Sequence, residues 1–317
     1  MACVVYDSRY NMGLLGVERW HPFDVRKYER AWALIEEEIV GAREKFLVGV
    51  DRACTREELL RVHTREYLER LKSPSYLSKV FEVSWAEFVP SLLIDRGILK
   101  PMRWASRGTV IATRESLKQG VAINLGGGFH HAKPGAGEGF CVYSDIALGV
   151  RQVREESLIN ERSPVVYIDL DAHQGNGVCH QFLNDLRVKI FDQYNGSIYP
   201  QDPVARKRID WGESMGMWCN GSEYLSKLRR ALPQFLERVR AEGEVGVAIF
   251  NAGTDVYAGD ELGLLELSGE DVLERDLFVV DELRSRGWPM VMLTSGGYTE
   301  ESHRLIARSV VEILRGW

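Results

Sequence analysis

The chain has 317 residues, 45% of them hydrophobic, with 40 basic and 46 acidic side chains for a formal net charge of −6. That apolar share is ample for a large core, and the mild acidity leaves no basic footprint for direct contact with nucleic acid. No stretch approaches the ~20 apolar residues of a membrane span, and neither sign of charge forms a long block.

The first residues, Met1-Ala2-Cys3-Val4-Val5-Tyr6, run into a candidate strand at residues 4–6 rather than a secretory leader. Tyr28, Trp32, Ile35 and Ile39 step by four, three and four, which predicts one helix face. β-branched runs follow at residues 121–125, 165–169, 188–191 and 247–251. Their near-continuous apolar character suits strands covered on both faces, as in a parallel sheet. Leu273, Leu277 and Val280 predict a further inward helix face, with Ser268 and Asp271 as a capping box. Residues 290–294 form the last candidate strand, and a helix after Thr299 would carry Leu305, Ile306, Val310 and Ile313 inward. This alternation predicts a doubly wound, mostly parallel α/β sheet with helices on both faces. No internal repeat or low-complexity linker divides the chain, so one domain over residues 1–317 is expected. Five widely spaced cysteines (Cys3, Cys54, Cys141, Cys179, Cys219), none in a Cys-x-x-Cys pair, suit reduced thiols in a cytoplasmic protein, or a nuclear one in a eukaryote.

In open α/β sheets, ligands bind beyond the carboxyl ends of the strands. The strand at 121–125 is followed by Gly126-Gly127-Gly128-Phe129-His130-His131. That at 165–169 ends in Asp169-Leu170-Asp171-Ala172-His173-Gln174-Gly175-Asn176-Gly177. After 247–251 come Ala252-Gly253-Thr254-Asp255, and after 290–294 come Ser295-Gly296-Gly297-Tyr298. Taken singly, each has a plain structural reading: a glycine turn, a helix cap, a turn aspartate, a surface histidine pair. His21, His63, His180 and His303 read as structural too. Four strand ends delivering histidines, carboxylates and a tyrosine to one rim are hard to explain by packing.

The set suits one reaction class. Asp171, His173 and Asp255 supply three N/O ligands and leave room for water and substrate, the pattern of a catalytic zinc site. An amide hydrolase then needs a base for the water and an acid for the leaving amine, for which His130 and His131 serve. Asp169 and Asn176 are natural acceptors for their other ring nitrogens. Tyr298 is placed to donate a hydroxyl to the developing oxyanion.

At these residues the sequence resembles the histone deacetylase family: Gly-Gly-Phe-His-His, Asp-Leu-Asp-Ala-His-Gln-Gly-Asn-Gly, Asn-Ala-Gly-Thr-Asp and Ser-Gly-Gly-Tyr. Asn176, where class I has aspartate, and Ser295-Gly-Gly-Tyr, in place of a four-glycine run, look most like class IV. So do Tyr10-Asn11, His21-Pro22-Phe23-Asp24 and Val62-His63-Thr64-Arg65-Glu66-Tyr67-Leu68. The resemblance implies an arginase/deacetylase fold and a zinc-dependent deacylase acting on acyl-lysine in a protein or peptide. In that reading His131 is the main general base and acid, and His130 an electrostatic partner paired with Asp169. By the same resemblance Gly139 and Phe140 line an acyl-lysine channel, Tyr199 stands on its opposite wall, and a monovalent cation such as K+ binds near the metal loop. Class IV members are associated with long fatty-acyl groups. Iron(II) is a second candidate metal, because imidazole and carboxylate ligands suit it as well.

Three rivals share parts of this pattern. A ureohydrolase also carries an Asp-Ala-His run, but a two-metal site wants carboxylates where Gly175, Thr254 and Val256 stand. An acetylpolyamine or other small-acylamine hydrolase would use the same catalytic residues. A non-catalytic acyl-lysine binder would be expected to lack a ligand, a histidine or the tyrosine, and none is missing.

Overall fold

The computed structural model describes residues 2–13 and 24–316. His21, Pro22, Phe23 and Trp317 lie outside the described residues. Eight strands are found among those described: β1 Ala2–Val5, β2 Leu47–Val48, β3 Val121–Asn124, β4 Val165–Asp169, β5 Val188–Asn195, β6 Trp211–Met215, β7 Val247–Asn251 and β8 Met290–Leu293. They form one sheet in the order β2-β1-β3-β8-β7-β4-β5-β6, and every pairing is parallel. The expected α/β architecture is present, wholly rather than mostly parallel.

Parallel strands need crossovers, and helices supply them. The long helix Lys100–Gln119 packs against β1, β3 and β8, and Gly221–Glu242 packs against β5 and β6. Lys27–Glu38 buries Tyr28, Trp32 and Ile35 and packs on the helix Ser302–Arg315, which turns Leu305, Ile306, Val310 and Ile313 inward as expected. Strands β1, β3, β4, β7 and β8 are buried along their whole length. No helix among the described residues is long and apolar enough to cross a membrane.

Two strands escape the sequence pattern. β2 is two residues long, and β6 is a sheet-edge strand whose Gly212 and Ser214 are exposed and which carries no apolar run. β5 runs on to Asn195 through Asp192 and Gln193, polar residues that β6 and the strand-end loops bury. The helix Gly269–Ser285 has the expected Ser268–Asp271 capping box, but its inward face is rotated. Val272, Arg275, Asp276, Val279, Val280 and Leu283 are buried, while Leu273 and Leu277 are only half-buried. Arg275 and Asp276 form a buried pair on that face, and the guanidinium reaches the carbonyls of Leu170 and Gly253 just past β4 and β7.

Candidate active site

The four central strands β3, β8, β7 and β4 lie side by side, and the loops after their carboxyl ends meet. Asp171 and His173 after β4 and Asp255 after β7 bring one ligand atom each within 4.8 Å of one another, all buried. His173 Nδ1 lies 2.9 Å from Asp255 and 3.2 Å from Asp171. Burial and the adjacent Asp171 carboxylate push Asp255 up to about 7. Two carboxylates this buried and this close call for a shared cation. A β-carbon on Gly296 would collide with both carboxylates, so only glycine lets the loop after β8 close over them. An N/O donor set of three with an open side fits a catalytic divalent metal.

Beside this cluster stand the two histidines of the loop after β3, ring centroids 4.0 Å apart. His130 Nδ1 is 2.9 Å from Asp169 Oδ2, and His131 Nδ1 is 2.8 Å from Asn176 Oδ1. Burial opposes charge on both rings. At His130 it is outweighed by Asp171 and Asp169, which raise that imidazole to about 9. At His131 burial is joined by the positive charge of His130 and His173, and the ring is held well below the ordinary imidazole value. One ring is thus disposed to carry charge and the other to stay neutral.

Tyr298, after β8, holds its ring 6.3 Å from that of His173 and 5.8 Å from that of Phe140. Burial and the Asp171 and Asp255 carboxylates keep its phenol protonated well beyond neutral pH, so it can donate. Gly139 and Phe140 are the central residues of a turn from Glu138 to Cys141, with φ of 51° and 62°. Positive φ at both positions is the pattern of a type I′ turn, and for a bulky residue such as Phe140 it is an unusual conformation. A β-carbon on Gly139 would strike the His131 ring. Tyr199 is 43% exposed, with its ring 5.3 Å from that of His131. All eleven residues singled out from the sequence therefore adjoin one another.

A cavity, partly open to solvent, begins at these groups. His130, His131, Asp171 and Tyr298 line one part of it. The remainder is mostly apolar, with Met12, Phe81, Val83, Trp85, Ile98 and Met102 in its wall. Ile98 comes from a single π-helical turn, Asp95–Leu99, that interrupts the run into Lys100–Gln119.

Several supports of the site are absent from the sequence reading. Asp145 accepts from the Gly128 and Phe129 N–H groups and from Thr109, fixing the histidine loop. Asp260 accepts the Tyr298 N–H at 2.8 Å. Lys27, wholly buried, donates to the carbonyls of Ser295 and Gly297. Arg275 donates to the carbonyls of Leu170 and Gly253, tying together the two metal-bearing loops. His63, read as structural, is buried between the Lys133 carbonyl and the Ser144 N–H. His180 is paired with Asp202, and His303 with the Glu300 carbonyl.

In fold, the chain is similar to the HDA15 HD domain crystal structure, with a TM-score of 0.77 at 19% identity, covering 99% of this chain and 91% of that one. It is 38% identical to histone deacetylase 2 of Arabidopsis thaliana over 98% of this chain and 78% of that protein. Histone deacetylase RPD3 of Saccharomyces cerevisiae is 27% identical over 93% of this chain and 68% of its own length. Residues 21–314 match the histone deacetylase domain family, and on that match and the plant relative the chain belongs to it.

Proposed function

We propose that this chain is a metal-dependent lysine deacylase of the class IV type, with a preference for long fatty-acyl groups on protein or peptide lysines. The observation that carries the acyl preference is the cavity: among the described residues, a mostly apolar wall adjoins the histidine pair and Tyr298. The class IV wording at Asn176 and at Ser295-Gly296-Gly297-Tyr298 supports the same reading.

Asp171, His173 and Asp255 would hold the metal, zinc or iron(II), both of which accept imidazole and carboxylate ligands. When bound, such an ion polarises the amide carbonyl and acidifies a water. His131, neutral, takes a proton at Nε2 and returns it to the leaving lysine nitrogen. His130, carrying charge beside Asp169, stabilises the negative charge that develops next to it. The Tyr298 hydroxyl donates to the carbonyl oxygen as it becomes an oxyanion. Phe140 and Tyr199 flank the lysine stem, and the Gly139 backbone faces it. The buried Asp192 keeps one carboxylate oxygen without a partner among the described residues, opposite Asp169 in the β4–β5 register. That supports a monovalent cation such as K+ in this place. All five cysteines are free and buried, which supports a reducing compartment, cytoplasm or nucleus.

One panel tests the reading: acetyl-, butyryl-, octanoyl- and myristoyl-lysine in the same peptide, beside an acetylated polyamine. Each methylene buried is worth ~0.8 kcal/mol, about fourfold in efficiency when expressed in the transition state. Efficiency should therefore climb steeply with chain length until the cavity fills. A preference for acetyl-lysine would sink the long-chain reading and leave the deacylase, whereas a polyamine outperforming every peptide would remove lysine as the substrate.

A further inference from the structure

The Asn176 side chain has two chemically opposite ends, an oxygen that accepts and a nitrogen that donates. Its oxygen faces His131 Nδ1 at 2.8 Å, and its nitrogen faces Glu138 Oε1 at 2.5 Å. Were the amide turned over, its NH2 would face His131, Nδ1 would have to accept, and the ring proton would move to Nε2. The ring would then have no lone pair to offer a water. Nothing in Asn176 itself chooses between the two orientations. An aspartate in its place would need no such choice, because both carboxylate oxygens accept.

Glu138 makes the choice. A carboxylate can only accept, so the amide nitrogen must turn to it and the oxygen to His131. Lys133 holds Glu138 Oε1 at 3.0 Å and reaches Asp202 at 3.3 Å, and Asp202 is paired with His180 at 2.8 Å. Glu138 is therefore held at the head of the turn that carries Gly139 and Phe140. We infer that Glu138 is a positioning residue that sets the tautomer of His131 through Asn176, keeping the proton on Nδ1 and the Nε2 lone pair free. The inference rests on His131 being the base of the proposed deacylase.

The test uses the full-length, zinc-loaded protein with Glu138→Ala and Glu138→Gln, each alone and combined with Asn176→Asp. Nitrogen-15 NMR of labelled histidine should show His131 protonated at Nδ1 in the parent and in Glu138→Gln, whose amide oxygen Lys133 holds towards Asn176. In Glu138→Ala the proton should be shared between Nδ1 and Nε2. On the best acyl-lysine peptide, Glu138→Ala should lower kcat about tenfold, the worth of one net hydrogen bond expressed in the barrier, with KM within about twofold. Glu138→Gln should stay within about threefold of the parent, and in the Asn176→Asp background Glu138→Ala should cost nothing. An unchanged His131 tautomer in Glu138→Ala, or the same kcat loss in both backgrounds, would overturn the inference. The spectra need no turnover, so a parent inactive on every acyl substrate would sink the deacylase reading and still leave the tautomer assignment decided.

Discussion

His130 and His131 differ chiefly in the acceptor behind each ring: a carboxylate oxygen of Asp169 for one, an amide oxygen of Asn176 for the other. A charged acceptor stabilises an imidazolium, and a neutral one leaves the ring free to take and return a proton. His131→Ala should therefore cost more turnover than His130→Ala, measured on zinc-loaded protein under saturating substrate; equal losses or the reverse order would overturn the division of roles. Tyr298→Phe should retain metal and substrate affinity while losing ~10²-fold in kcat, the usual cost of one oxyanion donor, and near-normal turnover would show that its hydroxyl is not used. These residues were legible because each stands directly after a run of β-branched residues and beside glycines, a pattern that survives without coordinates. Lys27, Arg275 and Glu138 were not. Each is a charged residue in a stretch where charge ordinarily faces solvent, and only the fold shows which backbone carbonyl or amide it meets.

Short elements around the sheet are held by charge as well as by apolar contact. Glu58 closes a capping box with Thr55 at the helix Arg56–Leu59 and accepts from Arg52 and Arg107, which joins that turn to the helix Lys100–Gln119. Burial alone would raise its carboxyl, but the Arg52 hydrogen bonds, the Thr55 N–H and the charge of Arg107 hold it at about 2, against an ordinary 4.5. A carboxyl depressed on folding adds stability that is whole above the unfolded value and is lost as pH falls through the folded one. Glu58→Gln should lower stability to urea at neutral pH by about 1–2 kcal/mol, a figure kept modest because Arg52 is half exposed. The gap to the parent should shrink as pH falls from about 4.5 towards 2. A constant gap would show that its charge contributes nothing. For Arg275→Met the expected loss is about 3–5 kcal/mol, because Asp276 is left as an uncompensated buried charge. Metal affinity should fall as well, since the carbonyls that Arg275 holds belong to Leu170, next to Asp171, and Gly253, two residues before Asp255. A stable variant with unchanged zinc affinity would show the clamp to be dispensable. The rotated face of Gly269–Ser285 carries the same pair: apolar spacing counts Leu273 and Leu277, whereas the buried ion pair lies on the side that turns in.

At the scale of the molecule, the metal cluster joins loops from two neighbouring strands at the centre of the sheet, so binding should be felt as global stability. A ligand that binds only the native state at a hundred times its Kd adds about 2.7 kcal/mol, roughly 4 °C in Tm for a chain of this size. Chelator-stripped protein should melt lower by that order and recover on adding about one equivalent of zinc; an unchanged Tm, or a need for two equivalents, would contradict a single native-state site. The sheet order carries a further consequence. β8 is last of the strands in sequence yet lies between β3 and β7, pairing with both. Until residues 290–293 have been synthesised, the sheet exists as two pieces, each with an apolar strand edge of the kind that invites pairing with other chains. A nascent chain must keep that slot open while some 165 residues emerge between β3 and β8, and slow, non-local closure of this sort exposes intermediates to aggregation. Folding should therefore be a single late event with β8 as the keystone, and chains that stop short of it should depend on chaperones rather than persist as half-active enzymes.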